Sequence, residues 1–261
     1  MIAGVFHKGS GLGDQLFRYI TVRTLAEEKG YDWRMNGEFK GDFFTGDFRG
    51  KEPENPKQFV PWWSEREVRD KDGVDIRSYD PEINFIKDFT IVDGSFEDDK
   101  YWGHNLENIN KWLAVEPLEV ANDVCVIGFR GGEYATQPDL FLPPEYYLEG
   151  IDILLQKNNN ELDVQVHTDD PELARQVFPH FDIVDNQPIS HSKHTNMGFN
   201  WRSARYAKYA IIPNSAFFIL PRLLKHLEDP EAVTIAPRYW ARRNTKTWAR
   251  PACFYKQFLY I

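Results

Sequence analysis

The chain has 261 residues, enough for one large domain or two of ordinary size. Hydrophobic residues make up 42% and aromatic residues 15%, which excludes a disordered chain and calls for a packed core. A formal net charge of −9 argues against a nucleic-acid partner. The two cysteines, Cys125 and Cys253, exclude a disulfide framework and a cysteine zinc site. No apolar run approaches a membrane span and the N-terminus carries no signal pattern, so a cytoplasmic protein is expected.

Ile2–His7 reads as a strand, Lys8–Asp14 as a glycine-rich loop, and Gln15–Lys29 as a helix closed by Gly30. A strand, such a loop and a helix make the commonest phosphate-binding start of an α/β domain. The dinucleotide fingerprint fails, however: counted from Gly9 its last position is Asp14, and counted from Gly11 it is Leu16. Tyr31–Met35 reads as the second strand. Residues 37–61, rich in Gly, Pro and Phe, read as an irregular cover, either a local hydrophobic cluster or a rim for sugar rings. Phe89–Phe96 reads as a strand and Leu106–Leu113 as a helix, with a lobe boundary at 116–123.

Val124–Phe129 is a short apolar run of the kind buried on both faces of a parallel sheet, and it runs into Arg130-Gly131-Gly132. Ligands of open α/β sheets bind beyond the carboxyl ends of strands, and a guanidinium there suits a phosphate. Position alone leaves open a phosphate ligand or a surface arginine with Gly-Gly as its turn. Further on, helices are expected over 145–156, 171–177, 200–208 and 214–226, and strands over 162–167, 209–213 and 233–236. The alternation gives an α/β fold with two Rossmann-like lobes, 1–117 and 118–238, and an aromatic tail, 239–261, packing back across the body.

Several motifs in order resemble the alpha-1,2-fucosyltransferases. Gly11-Leu12-Gly13-Asp14-Gln15-Leu16-Phe17-Arg18-Tyr19 is similar to their Gly-Leu-Gly-Asn-Gln-Met-Phe-Gln-Tyr, and Gly94-Ser95-Phe96 with Tyr101-Trp102 to a second motif. Ile127–Tyr134 resembles His-Ile-Arg-Arg-Gly-Asp-Tyr, Leu142–Tyr147 resembles Leu-Pro-x-x-Tyr-Tyr, and Thr168-Asp169-Asp170 resembles Ser-Asp-Asp. Ile212–Phe217 resembles Ile-x-Asn-Ser-x-Phe. The resemblance implies a GT-B glycosyltransferase with a cleft between the lobes, inverting and metal-independent. It implies a nucleotide-diphosphate sugar (GDP-fucose by default) as co-substrate, no other cofactor, and a glycan acceptor. It gives Arg130 the donor's β-phosphate, where a pre-placed guanidinium would stabilise the leaving diphosphate. Glu133, Tyr134, Thr168, Asp169, Asn200, Asn214, Ser215 and Phe217 become donor-side residues. His7, Gly11, Gly13 and Gln15 become acceptor-side residues.

The chain departs from those motifs at Gly128, Gly131 and Glu133, and at Asn200, which stands where the family has a base-reading carboxylate. Two other readings follow: an inactive or binding-only relative, and a nucleotide-cofactor enzyme of another class. Asp14 is either a general base or a helix cap, or both. Asp169-Asp170-Pro171 is either a metal site or a helix cap, and the cap is preferred. His191 and His194 read as an exposed or donor-side loop.

Overall fold

The computed structural model describes residues 1–55, 61–66, 78–158, 161–185, 197–241 and 250–261, and the backbone of 68–69 and 75–76. The expected His191 and His194 loop lies outside the described residues. The chain divides into two compact units, Met1–Val115 and Glu116–Ile261.

The N-terminal unit contains β1 (Ile2–Phe6), α1 (Leu12–Lys29), β2 (Trp33–Gly37), β3 (Trp62–Ser64), β4 (Val68–Arg69), β5 (Asp75–Ile76), β6 (Thr90–Asp93) and α2 (Leu106–Trp112). Four of the strands form a parallel sheet in the order β2-β1-β6-β3, and β4 pairs with β5 in an antiparallel hairpin. Leu16, Phe17, Tyr19 and Ile20 of α1 are fully buried. Gly4 permits close packing, since a Cβ there would lie 2.7 Å from Val22 Cγ2 and 2.9 Å from Met35 Sδ.

The second strand begins two residues later than the sequence suggests. Gly30 closes α1 in the left-handed region at φ 66, and Tyr31 donates its N–H to Ala26 O at 2.8 Å, so Tyr31 still belongs to the helix end. The phenylalanines of the cover pack on one another: Phe39 stacks on Phe48 with centroids 4.1 Å apart, and Tyr19 meets Phe48 at 4.5 Å. This segment is a local hydrophobic cluster. β3, not expected from the sequence, follows this cover at Trp62–Ser64.

The C-terminal unit contains β7 (Val124–Phe129), α3 (Gly132–Ala135), α4 (Pro144–Lys157), β8 (Asp163–Thr168), α5 (Pro171–Val177), β9 (Asp182–Asp185), α6 (Met197–Tyr206), β10 (Tyr209–Ile211), α7 (Ala216–Glu228), β11 (Val233–Ala236) and β12 (Leu259–Tyr260). Its six strands are all parallel, in the order β12-β11-β10-β7-β8-β9. Counted within the unit this is 3-2-1-4-5-6 read from β9, the doubly wound order whose switch point lies between β7 and β10. Ile127 and Phe129 face Tyr147, Ile151, Leu154, Val166 and Phe178 in one apolar cluster. Cys125 is buried in the same cluster, and burial pushes its thiol up to about 12. The C-terminal tail ends as β12, which adds to this unit's own sheet beside β11.

A buried cation ties the other face together. Arg222 of α7 is fully buried; its Nη1 donates to Ala204 O at 2.8 Å and Ala207 O at 2.6 Å, and its Nε donates to Thr234 Oγ1 at 2.8 Å. These carbonyls close α6, where the helix dipole favours a cation. Burial lowers the guanidinium pKa to about 9.

Candidate functional site

Arg130 follows β7 at the switch point of the C-terminal sheet. Its guanidinium is held from three sides. Nη1 lies 3.0 Å from Asp169 Oδ2, Nη2 lies 3.4 Å from Glu133 Oε1, and the Tyr134 ring centroid lies 4.8 Å from Cζ. Arg130 Nε is buried and has no hydrogen-bond partner among the described residues. Beneath it, the Tyr147 phenol is fully buried, which pushes its pKa up, while a hydrogen bond to the Arg130 backbone works the other way.

The glycines after Arg130 are required by the neighbouring turn. Asp169 Oδ1 accepts from Gly131 N at 3.0 Å. A Cβ on Gly131 would lie 2.4 Å from Asp170 Cβ, and one on Gly132 would lie 2.9 Å from Asp169 Oδ2. The two aspartates therefore divide their tasks. Asp170 caps α5, accepting from Leu173 N at 3.1 Å, as the cap reading expects; Asp169 grips Arg130 and Gly131. Thr168 is fully buried and its Oγ1 accepts from Asp170 N at 2.9 Å, which shapes the turn.

Gly128, where the resembled motif has histidine, has no room for a side chain. A Cβ there would lie 2.6 Å from the Phe218 ring and 2.7 Å from Pro213 Cδ. Its register partner on β8 is His167. His167 is 1% exposed, its Nδ1 lies 2.5 Å from Asn200 Oδ1, and its Nε2 has no partner among the described residues. An amide oxygen only accepts, so Nδ1 carries the hydrogen and Nε2 is a bare acceptor. Burial lowers the His167 pKa to about 4 and keeps the ring neutral, although the Asn200 bond opposes the shift.

Asn200, a donor-side residue by resemblance, is 1% exposed, and its carbonyl is bonded to His167. The sequence could not show this, because the bond joins α6 to β8 across 33 positions. Asn214 is also buried, and its amide ties two loops together through Leu140 O at 2.8 Å and Trp240 O at 2.6 Å. Ser215 stands at the N-cap of α7 without a side-chain cap bond. Phe217 packs edge-on against Trp201 at 5.9 Å and Phe218 at 5.0 Å.

In the N-terminal unit, Asp14 is the third residue of α1 and not its cap. Gly11 is the cap, and Asp14 Oδ2 reaches back to accept from Gly11 N at 3.2 Å. Gly11 is exposed and Gly13 buried. Gln15 is 1% exposed and clamps the 38–40 segment, with Nε2 donating to Glu38 O at 2.9 Å and Oε1 accepting from Lys40 N at 3.0 Å. His7 lies just past β1, with Nε2 2.9 Å from Asp93 Oδ1 at the end of β6. Arg18 Nε lies 3.4 Å from the same oxygen. Sequence reasoning found His7 but missed its partners: Arg18 lies in the first motif without an assigned role, and Asp93 lies in none. Adjacent parallel strands bring His7 and Asp93 together, and α1 supplies Arg18.

No protein-family model matches the sequence, and no curated protein matches it. Solved structures do match. A mutant of Arabidopsis thaliana FUT1 in complex with GDP has a TM-score of 0.51 at 12% identity, covering 94% of this chain and 72% of that one. The alpha-1,6-fucosyltransferase NodZ soaked with GDP-fucose, a protein known from Bradyrhizobium, has a TM-score of 0.43 at 14% identity, covering 85% and 92%. E. coli heptosyltransferase WaaC with ADP has 0.47 at 12% identity, covering 99% and 92%. At 12% identity the likeness to the plant protein concerns the fold, which is α/β with two Rossmann-like lobes of the GT-B type.

Proposed function

We propose that the chain is a glycosyltransferase that moves a sugar from a nucleotide-diphosphate donor to a hydroxyl of a glycan, inverting the anomeric centre without a metal ion. The observation that carries this reading is Arg130: a guanidinium at the switch point of a 3-2-1-4-5-6 sheet, anchored by Asp169 and Tyr134, with a buried Nε–H unpartnered among the described residues. Cleavage of the sugar–phosphate bond places negative charge on the leaving diphosphate. A fixed guanidinium meets that charge as it develops, which is the task a divalent cation performs elsewhere. The anchoring aspartate limits the reorganisation needed at that moment.

The same reading places the donor in the C-terminal unit and the acceptor in the N-terminal one. GDP-fucose is the first donor to test, because the sequence motifs resemble those of fucosyltransferases. The engaged carbonyl of Asn200 and the filled space at Gly128 leave no carboxylate or motif histidine at those positions to select guanine.

The test is a panel of GDP, UDP, dTDP, ADP and CDP with their common sugars. Nucleoside diphosphates should raise the melting temperature by mass action, and at least one sugar nucleotide should be consumed with release of its diphosphate. Binding without consumption would favour a binding-only protein. Response to NAD alone would favour a cofactor enzyme of another class.

A further inference from the structure

We propose that His7, held by Asp93, takes the proton from the attacking hydroxyl; this rests on the glycosyltransferase reading above. β1 and β6 are neighbouring parallel strands, so the residue after β1 and the last residue of β6 meet at the carboxyl edge of the N-terminal sheet. That edge is where open α/β sheets bind ligands. The His7 Nε2 to Asp93 Oδ1 distance is 2.9 Å. An ionised carboxylate only accepts, so Nε2 carries the hydrogen and Nδ1 keeps its lone pair. The His7 side chain is 40% exposed, which leaves that lone pair within reach of a substrate.

The charged groups around the pair are accounted for. Asp93 faces His7 from β6, and Arg18 of α1 reaches the same carboxylate oxygen at 3.4 Å. Arg18 Nη1 also donates to Ser10 Oγ at 3.3 Å, and Lys40 Nζ donates to Ser10 O at 2.5 Å, which fixes the loop after His7. Asp14, in the first turn of α1, already accepts from Gly11 N.

In the step, the acceptor's O–H proton passes to His7 Nδ1 as its oxygen bonds to the anomeric carbon. The bond from that carbon to the phosphate oxygen breaks, and its electron pair leaves on the diphosphate. The imidazolium then returns its proton to solvent. Asp93 is a positioning residue, since it acts through the ring.

The experiment uses the full chain, the sugar nucleotide that wild type consumes fastest, and two acceptors, water and azide. Azide carries no proton to lose. His7→Gln should lower hydrolysis about a hundredfold or more, at nearly unchanged donor KM, while glycosyl azide formation stays close to wild type. Its hydrolysis should also lose the pH dependence of wild type. Added imidazole should restore hydrolysis to His7→Gly, and Asp93→Asn should show the same selective loss on a smaller scale. Hydrolysis by His7→Gln at the wild-type rate would overturn the proposal, as would an equal loss of the water and azide reactions. Wild type that consumes no sugar nucleotide with either acceptor would instead bring down the glycosyltransferase reading and this step with it.

Discussion

Each unit opens with a buried parallel strand that ends in a basic side chain and a glycine-containing turn, yet the two ends suit opposite tasks. After β1, Gly11 N–H is taken by the carboxylate of Asp14; after β7, Gly131 N–H is taken by that of Asp169. In both turns a backbone donor that could hold an anion is already satisfied by the chain itself. What differs is the spare capacity of the side chain. His7 keeps a ring nitrogen able to accept a proton, whereas Arg130 keeps an N–H able to donate. On the proposed roles, strand-end side chains, more than loop shape, would separate proton transfer from charge stabilisation.

The largest expected effect breaks the C-terminal side of that comparison. Arg130→Ala should cut turnover about a hundredfold to a thousandfold, the usual scale for one charge-stabilising donor. The protein should stay folded, because the residue is half-buried at a strand end. Arg130→Lys should recover only part, since an ammonium cannot reproduce the fork. Steady-state rates with folding checked by circular dichroism decide it, and full activity in the alanine variant would remove Arg130 from the chemistry.

The next effect sharpens the contrast between the two strand-end histidines. His7 is half-exposed beside a carboxylate; His167 is buried beside a neutral amide, and its pKa is lowered from 6.5 to about 4. A group with a depressed cationic pKa binds its proton more readily when unfolded. Its contribution to stability is therefore whole above about pH 6.5 and lost as pH falls towards 4. The loss should be on the order of 3 kcal/mol, read as a fall in the urea midpoint across that window. His226, also lowered to about 4 by burial and by the charge of Arg222, adds to the same window. His167→Gln should flatten the acid limb, and an unchanged limb would show that other groups set it.

Much of this was legible in the chain. The run Val124–Phe129, the proline and glycine punctuation and the β-branched stretches placed most helices and the central strands within a few residues. β9, α3 and β12 escaped because each is a piece of four residues or fewer, defined by its neighbours and not by its own periodicity. At the site, Arg130 was legible as a strand-end cation. The grip of Asp169, the His167–Asn200 bond and the His7–Asp93 pair were not, because each joins residues more than 30 positions apart. Gly128 looked like a lost motif residue, yet Phe218 fills the space a side chain would need.

A smaller effect concerns Asp14. Its carboxylate satisfies Gly11 N–H in the first turn of α1, so Asp14→Asn keeps an acceptor and should leave turnover nearly unchanged. Asp14→Ala loses both the acceptor and the favourable charge at the helix N-terminus and should cost about 1 kcal/mol of stability. A stable but inactive asparagine variant would transfer the proton-accepting role from His7 to Asp14.

The smallest effect asks whether the carboxylates around Arg130 support or oppose a bound diphosphate. Asp169 is 26% exposed, bonds Gly131 and anchors Nη1, so its removal should weaken binding by releasing the turn. Glu133 is 68% exposed, and its Oε1 lies at 3.4 Å from Nη2, beside the bare Nε. The Glu133 charge repels an anion approaching this guanidinium. An exposed pair of this kind is worth under about 1 kcal/mol, so Glu133→Gln should tighten nucleoside diphosphate binding by no more than about fivefold. The gain should shrink at high salt, where the repulsion is screened. Calorimetric dissociation constants for GDP and UDP at low and high salt measure it. Weaker binding by Glu133→Gln would mean that this carboxylate holds the guanidinium in place, as Asp169 does, and does not compete for it.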